Sequence, residues 1–472
     1  MEAIVRSRLV GFGIAAALEV ALLASLNFFD DWTLEEMPVR FVTCALLCGL
    51  FFYAAVTRFP EVLAPRVQKA IFWSVALGLR LVALPLEPGD DFWRYQWEGR
   101  IQRAGFNPYV TAPDNPKLAA VRAEFPAWHK INHRDFRAIY PPGAELIFAG
   151  LSRISDHPLF YKVVFAAADL ATIGVLLHLL SVAAVYDRRS LIPDGSGERG
   201  IGCHRPPIQH YAAAAWYAWN PLVVYSFAGS AHFDSLMILP MTAGILFLTR
   251  FEAETESRRQ WWLALAVSAA FGIAISIKLI PALLLLCCVF ALGYRAAALA
   301  LSAAIPLLLS FLYGFPEIPI WDSLRAFAHV TRLNDLFWWV IEETVWPNPH
   351  QKNYRYNVIL VIAVALISIA CFRNWKRGMQ WALGGALILS PVLHPWYCTW
   401  ILPLATWRRS HAWHVLSITL FAYYLFWNER LFFLPWRAEP WLRFIIAVPP
   451  LIAGLWFYLT ARSYRTFPEN PS

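Results

Sequence analysis

The chain predicts an all-α polytopic membrane protein, a bundle of about 12–14 transmembrane helices with long outer loops carrying short interfacial helices. Three observations predict it. Of 472 residues, 58% are hydrophobic and only 15% charged, and the mean hydropathy is +0.47. Soluble domains carry nearer a quarter charged residues. Apolar runs recur along the whole length, and Lys and Arg gather in alternate loops between them. The net charge of +8 follows from that topology and does not call for nucleic acid as a partner.

The runs fall at 9–27, 41–57, 69–86, 159–186, 211–227, 235–248, 261–277, 279–292, 296–313, 357–372, 379–389, 396–407, 413–427 and 441–460. Several are shorter than the ~20 residues a straight span needs, which sets the lower end of the count. The first run carries Glu19, follows Arg6 and Arg8, and has no small-residue cleavage site behind it, so it reads as an uncleaved helix. With the N-terminus inside, Arg58, Arg66 and Lys69 face the cytoplasm. So do Arg188, Arg189, Arg199 and Arg205, then Arg250, Arg258 and Arg259, and later Arg373, Lys376, Arg377, Arg408 and Arg409. The first outer loop, 30–36, has neither Lys nor Arg, as the positive-inside rule requires. Arg430, Arg437 and Arg443 run against the pattern. The division that follows is 1–87 for the N-terminal helices, 88–158 for a first long outer loop, 159–314 for central helices, 315–356 for a second outer loop, and 357–472 for C-terminal helices.

Of the seven cysteines, only Cys203 lies in a polar loop, and an odd count set in or beside apolar runs argues against a disulfide framework. Cys203-His204 with His210 matches no zinc spacing, and His129 with His133, though at i,i+4 spacing, has no third ligand beside it and Pro126 just upstream.

Adjacent carboxylates at a membrane surface are costly unless used, which singles out Asp90 and Asp91. A short helix is expected from Asp91 to Ala104, closed by Gly105 and stopped by Asn107-Pro108. One Asp of the pair can serve as a helix cap, but capping needs only one. Arg94 has Asp90 and Glu98 at i,i+4 spacing, and Asp91, Tyr95 and Glu98 share a face. Beyond lie Tyr140-Pro141-Pro142, a rigid return toward the membrane, and a short re-entrant helix over 143–154.

Three further breaks fall at the outer ends of helices. The turn 228–235 carries His232 and Asp234, where a capping Asp with an incidental His is the plain alternative. Lys278 splits the stretch 261–292 just ahead of Pro281, placed either to snorkel or to bind an anion. His394 sits between Pro391 and Pro395, which hold its ring in a definite direction. Asp169 and His178, by contrast, fall inside a helix and are expected to bond between helices.

A carboxylate with cations nearby at the membrane surface suits transfer of a sugar from a lipid phosphate. The phosphate leaves readily without a general acid, so the site must only accept the proton of the attacking hydroxyl and hold the departing charge. The run GDDFWRYQWEGRIQRAGFNPYVTAP resembles the first outer loop of GT-C class glycosyltransferases, especially bacterial polyprenyl-phosphate-mannose-dependent mannosyltransferases. The runs IYPPGAELIF, WNPLVVYSFAGSAHFDS, SIKLIPALLLL and SPVLHPWYCTWILPL resemble that group in the same order, from about Gly89 to Pro403. The resemblance implies a GT-C-like bundle, a polyprenyl-phosphate sugar donor, and a glycan, lipid or protein acceptor. It also implies inverting transfer on the extracytoplasmic face, with Asp90 or Asp91 as base. Lys278, His394 and Arg94 are then the candidates for the donor phosphate, and His232, Asp234, Tyr95 and Tyr140 for sugar or acceptor. The resemblance implies no fixed cofactor, since some members use a divalent cation and others none. Trp338 and Trp339 are further acceptor candidates. The competing readings are a lipid-linked sugar flippase and a ligase using a lipid-diphosphate donor. The flippase would call for an internal repeat, which the sequence lacks.

Overall fold

The computed structural model describes residues 2–29, 31, 34, 36–189, 210–349, 352–425 and 440–466. Cys203, His204, Arg199, Arg205, Arg430 and Arg437, and Asp30, Trp32, Thr33 and Glu35 of the first outer loop, lie outside the described residues.

Three helices open the chain: α1 (Glu2–Ser25), α2 (Met37–Thr57) and α3 (Pro65–Ala83). The first long loop then holds α4 (Asp90–Arg103) and α5 (Pro142–Ile154). Next come α6 (Pro158–Arg189), α7 (His210–Ala218), α8 (Ser235–Ala253), α9 (Ser257–Ile277), α10 (Leu285–Leu292) and α11 (Ala300–Phe311). The second long loop carries α12 (Asp322–Val330) and α13 (Leu336–Thr344). The chain then runs through α14 (Tyr354–Ala370), α15 (Trp375–Leu389), α16 (Leu402–Arg408), α17 (His411–Thr419) and α18 (Pro440–Thr466). Among the described residues there is no β-strand, only an isolated bridge between Leu333 and Val392.

The protein is therefore an all-α, multi-pass membrane protein, as composition predicts. Where described, each expected apolar run falls mainly on helix, but only seven helical segments among the described residues are long and apolar enough to cross a membrane. The sequence-based count of about 12–14 full spans is not reached by that measure. Two reasons are local. The runs 279–292 and 296–313 join in one helical stretch, Ile280–Phe311, and others are short, such as the 17-residue α14.

The two ends of the bundle are chemically distinct. Arg8 donates to the Thr57 carbonyl (3.2 Å), tying the start of α1 to the end of α2 among the basic loops. At the opposite end Asn27 donates to the Val82 carbonyl (3.1 Å), and there α3 delivers the chain into the first long loop. Lys162 Nζ donates to the Leu84 and Leu86 carbonyls (both 2.6 Å) and fixes that exit.

Inside the bundle Arg80 of α3 and Asp169 of α6 form an ion pair at 2.6 Å, exposed only 2% and 0%. Arg80 also donates to the carbonyls of Ala76 and Ala218 (2.8 and 2.7 Å), so α3, α6 and α7 share one polar knot. His178 contacts Arg250, so both intrahelical polar residues bond between helices as expected. Asp169→Ala leaves the guanidinium buried without its counter-charge, which costs about 3–5 kcal/mol. Thermal unfolding in detergent should show a much less stable protein, and Arg80→Met/Asp169→Leu should recover most of the loss. An unchanged melting profile for Asp169→Ala would show that the pair has no such weight.

The first long loop is an ordered platform. α4 ends as expected, with Gly105 at φ +87°. α5 is the short helix expected over 143–154, and it packs against α4, α9 and α11. Two glycines permit this: a Cβ on Gly99 would meet the Phe148 carbonyl oxygen at 2.3 Å, and one on Gly143 would meet Ser276 Oγ at 2.5 Å. The second contact seats α5 beside the residues leading to Lys278. Arg100 and Arg103 both hold Asp156 (2.9 and 2.7 Å), closing the loop over α4.

Candidate active site

Asp90 and Asp91 open α4, where the exposed N–H groups of the first turn favour negative charge. Both are partly accessible. Asp90 Oδ1 accepts from the Asp91 N–H at 3.0 Å, a local bond between neighbours, while Gly89 holds the N-cap position without a side-chain cap. Asp91 is used differently. Its Oδ1 accepts from Asn132 Nδ2 at 2.8 Å, and the same amide approaches Asp90 Oδ2 at 3.4 Å. The Asp91 carboxyl is pushed up to about 7, chiefly by burial and then by the Asp90 charge, while Asn132 and Lys278 pull it down. Near neutral pH it can therefore take up a proton.

The turn before α8 comes to this pair directly: Gly89 N–H donates to the Ser230 carbonyl at 2.9 Å. A Cβ on Gly89 would lie 3.6 Å from His232 Nε2. The turn is shaped by one π-helical turn, Tyr225–Gly229, and by Ala231 in the left-handed region at φ +61°. Asp234 does not cap α8. Its backbone is already helical (φ −58°, ψ −24°), whereas a capping side chain needs an extended backbone. Instead the fully buried carboxylate accepts from Lys278 Nζ and from Trp400 Nε1, each at 2.6 Å.

Lys278 ends α9 in an extended conformation (φ −154°, ψ 139°). Its ammonium lies 5.2 Å from the Phe233 ring centroid and 4.8 Å from those of Tyr397 and Trp400. The side chain stays 18% exposed. An ammonium in such a cage is fixed in position by the rings and one carboxylate, yet open on one side.

The 390–397 break supplies the next wall. The His394 ring stacks on Trp396 (4.2 Å, 10°), and Trp396 stacks on His232 (3.7 Å, 18°), a three-ring pile at the cluster's edge. His394 Nδ1 lies 3.1 Å from Tyr423 Oη. Burial lowers the His394 imidazole to about 3, with Lys278 and His133 adding to the effect, and it holds His232 well below the ordinary histidine range. Burial thus favours the neutral form of both rings. A neutral His394 ring has at most one N–H to offer a phosphate, a weaker hold than a cation.

Other sequence-based assignments change for equally local reasons. Arg94 does not choose Asp90. It donates to Glu98 Oε1 (2.5 Å) and to the carbonyls of His133 (2.8 Å) and Phe136 (2.5 Å), so it braces the first loop rather than a phosphate. Glu98 belongs to a buried network with Glu145, which accepts from Gln102 (2.9 Å), which in turn accepts from Tyr313 Oη (2.8 Å). Burial, then the Glu98 charge, holds the Glu145 carboxyl well above the usual range. Tyr95 is 1% exposed, stacked on Phe148 (5.0 Å, 12°) and edged by Tyr140 and Phe233. No ring face remains for a sugar, and only its hydroxyl, 3.5 Å from His232 Nδ1, reaches the cluster. Asp234 and His232 likewise support the site from within, while Tyr140 stays partly accessible. Trp338 is buried, donating to the Leu389 carbonyl (2.7 Å) and stacking on Tyr356 (4.1 Å), and so anchors the second loop. Trp339 packs against Phe444 and under Arg443. Among the described residues no group of three or more His, Cys, Asp or Glu is placed to hold a metal ion.

Sequence reasoning missed Asn132 and the aromatic set Trp396, Tyr397, Trp400 and Tyr423. Trp396 and Tyr397 stood in a break of the sequence, but nothing in spacing says that Trp396 stacks between His394 and His232 or that Tyr397 helps cage Lys278. Asn132 carried no signal at all, since its partners lie 41 and 42 residues earlier.

Fold and site together define an integral-membrane protein with an acid–ammonium cluster at one end of its helical bundle. Residues 203–295 match the family model described as alpha-(1->6)-mannopyranosyltransferase, N-terminal domain. The matched segment holds the 228–235 turn and Lys278, and over it the resemblance to GT-C mannosyltransferases is shown. No curated protein matches the chain.

Proposed function

We propose that the protein transfers a mannosyl group from a polyprenyl-phosphate donor to a glycan, lipid or protein acceptor on the extracytoplasmic face, with inversion. The observation that carries this reading is the pairing of a largely buried but still partly accessible carboxylate poised near neutrality, Asp91, with a ring-caged ammonium, Lys278, close enough to lower its proton affinity. The acceptor hydroxyl attacks the anomeric carbon while the bond to the phosphate oxygen breaks. Asp91 takes the hydroxyl proton, and the electron pair of the broken bond stays on the polyprenyl phosphate, whose charge faces Lys278. Asn132 positions Asp91, and Asp234 with Trp400 positions Lys278. The cluster lies at the end of the bundle opposite the basic loops, which supports placing it outside.

Purified full-length protein given polyprenyl-phosphate mannose and a mannosyl acceptor should form a new glycosidic bond of inverted configuration. Only ionised Asp91 can accept the proton, so the rate should climb with pH through about 7 and level off above. Asn132→Ala removes a bond that favours the ionised form and should move this limb upward by about one unit, the worth of a charge-assisted hydrogen bond of about 1.5 kcal/mol. No transfer from this donor would overturn the function. A limb that ignores Asn132 would overturn the base.

A further inference from the structure

A cavity outside the cluster just described lies between the two long loops. Its volume is about 760 Å³, within the range of about 300–1,000 Å³ typical of ligand sites. The first loop supplies Asp135, Phe136 and Arg137; α12 supplies Asp322, Arg325 and His329; and Tyr354 closes one side. We infer that this cavity binds the acceptor as the end of a neutral, hydroxyl-rich saccharide chain and presents its attacking hydroxyl to Asp91, an inference that rests on the transferase reading above.

The lining chemistry fits that ligand class. Two carboxylates and two guanidiniums line the cavity, with Asp322 and Arg325 3.7 Å apart. Such groups take neighbouring sugar hydroxyls in pairs, the acid as acceptor and the guanidinium as fork-shaped donor. The balance of charge disfavours a phosphate ligand, which would meet two acids. Phe136 and the 68% exposed Tyr354 offer ring surface for the apolar face of a pyranose.

Placement supports it as well. Residues 132–137 form one strap: Asn132 holds Asp91 at one end, and Asp135, Phe136 and Arg137 line the cavity at the other. Between them His133 lies in the left-handed region (φ +45°), which turns the strap, and Arg94 of the Asp91 helix grips the carbonyls of His133 and Phe136. The far wall is fixed to the other side of the cluster. Leu333, just beyond α12, exchanges backbone bonds with Pro391 and Leu393 (3.0 and 2.9 Å), immediately before His394. Asn353 N–H donates to the His329 carbonyl (2.9 Å) and sets Tyr354 beside α12.

The test uses the full chain in lipid nanodiscs, polyprenyl-phosphate mannose as donor and α-1,6-linked mannotriose as the acceptor probe. Asp322→Ala and Tyr354→Ala should each raise the KM for mannotriose about tenfold, with kcat falling by less than KM rises. Arg325→Ala should do the same, and its side chain is 85% exposed, so it tests the site without endangering the fold. Saturation-transfer NMR with mannotriose alone should show binding to the wild type and loss in the triple variant. Transfer with an unaltered KM in all three variants overturns the acceptor site and leaves the transferase reading intact. Mannotriose binding that the variants abolish, with no transfer from this donor, keeps the saccharide site and removes that reading. Displacement of mannotriose by millimolar inorganic phosphate, or neither binding nor transfer with mannotriose, overturns the inference.

Discussion

Asp91→Asn should reduce mannosyl transfer by about 10²–10⁴-fold, the range expected when a positioned general base is lost. The amide keeps the shape of the side chain and its neighbour Asn132, so binding of polyprenyl-phosphate mannose should survive while turnover does not. Asp90→Asn should cost less. Asp90 receives the Asp91 N–H and raises the Asp91 carboxyl by its charge, so its loss should mainly move the pH limb downward. A stability signature should accompany the catalytic one. The folded Asp91 carboxyl sits at about 7 against an ordinary value of 3.8, so ionising it opposes folding at every pH above the ordinary value. That opposition grows until pH exceeds the folded value and is then constant. Asp91→Asn removes it, and thermal unfolding at pH 8 should occur at higher temperature than in the wild type, with the difference vanishing at low pH. A variant that transfers mannose at the wild-type rate would exclude Asp91 as base. One that is inactive but less stable at pH 8 would point to a merely structural role.

The outline of this site was legible for a physical reason. In a chain so apolar, polar residues at helix ends have few places to go, and the breaks at Asp90-Asp91, His232–Asp234, Lys278 and His394 converge on one end of the bundle. What each residue does there was less legible. Arg94 had two acids at the same helical spacing, and the choice of Glu98 is settled by carbonyls about forty residues away. Asp234 stood where a cap belongs, but only backbone angles reveal that its side chain turns inward instead. His394 carried the right residue type for a cation, yet its protonation depends on burial and on Lys278, neither of which a sequence displays. Apolar length alone does not separate full spans from broken ones, so fewer described helices pass as full spans than there are apolar runs.

Lys278→Met should lower kcat/KM for the polyprenyl-phosphate donor by about 10²–10³-fold, the scale seen when a group aimed at developing charge is deleted. Methionine preserves an apolar stem among Phe233, Tyr397 and Trp400, so the cage stays filled while its charge is gone. Lys278 also lowers the Asp91 carboxyl, so the residual activity should show its pH limb displaced upward. The competing account is that Lys278 exists only to neutralise buried Asp234, whose Oδ2 has no hydrogen-bond partner among the described residues. The two accounts separate cleanly in the pair Lys278→Met/Asp234→Asn. If neutralisation were the whole role, the double variant would regain activity, because no uncompensated carboxylate remains and Trp400 can still bond the amide oxygen. If the ammonium holds the departing phosphate, the double variant should fold as well as the wild type and transfer no faster than Lys278→Met. Lys278→Arg should lie between, since a planar guanidinium keeps the charge but cannot occupy the same ring cage as a compact ammonium. Recovery of transfer in the double variant would leave the leaving group without its cation and return Lys278 to the framework of the fold.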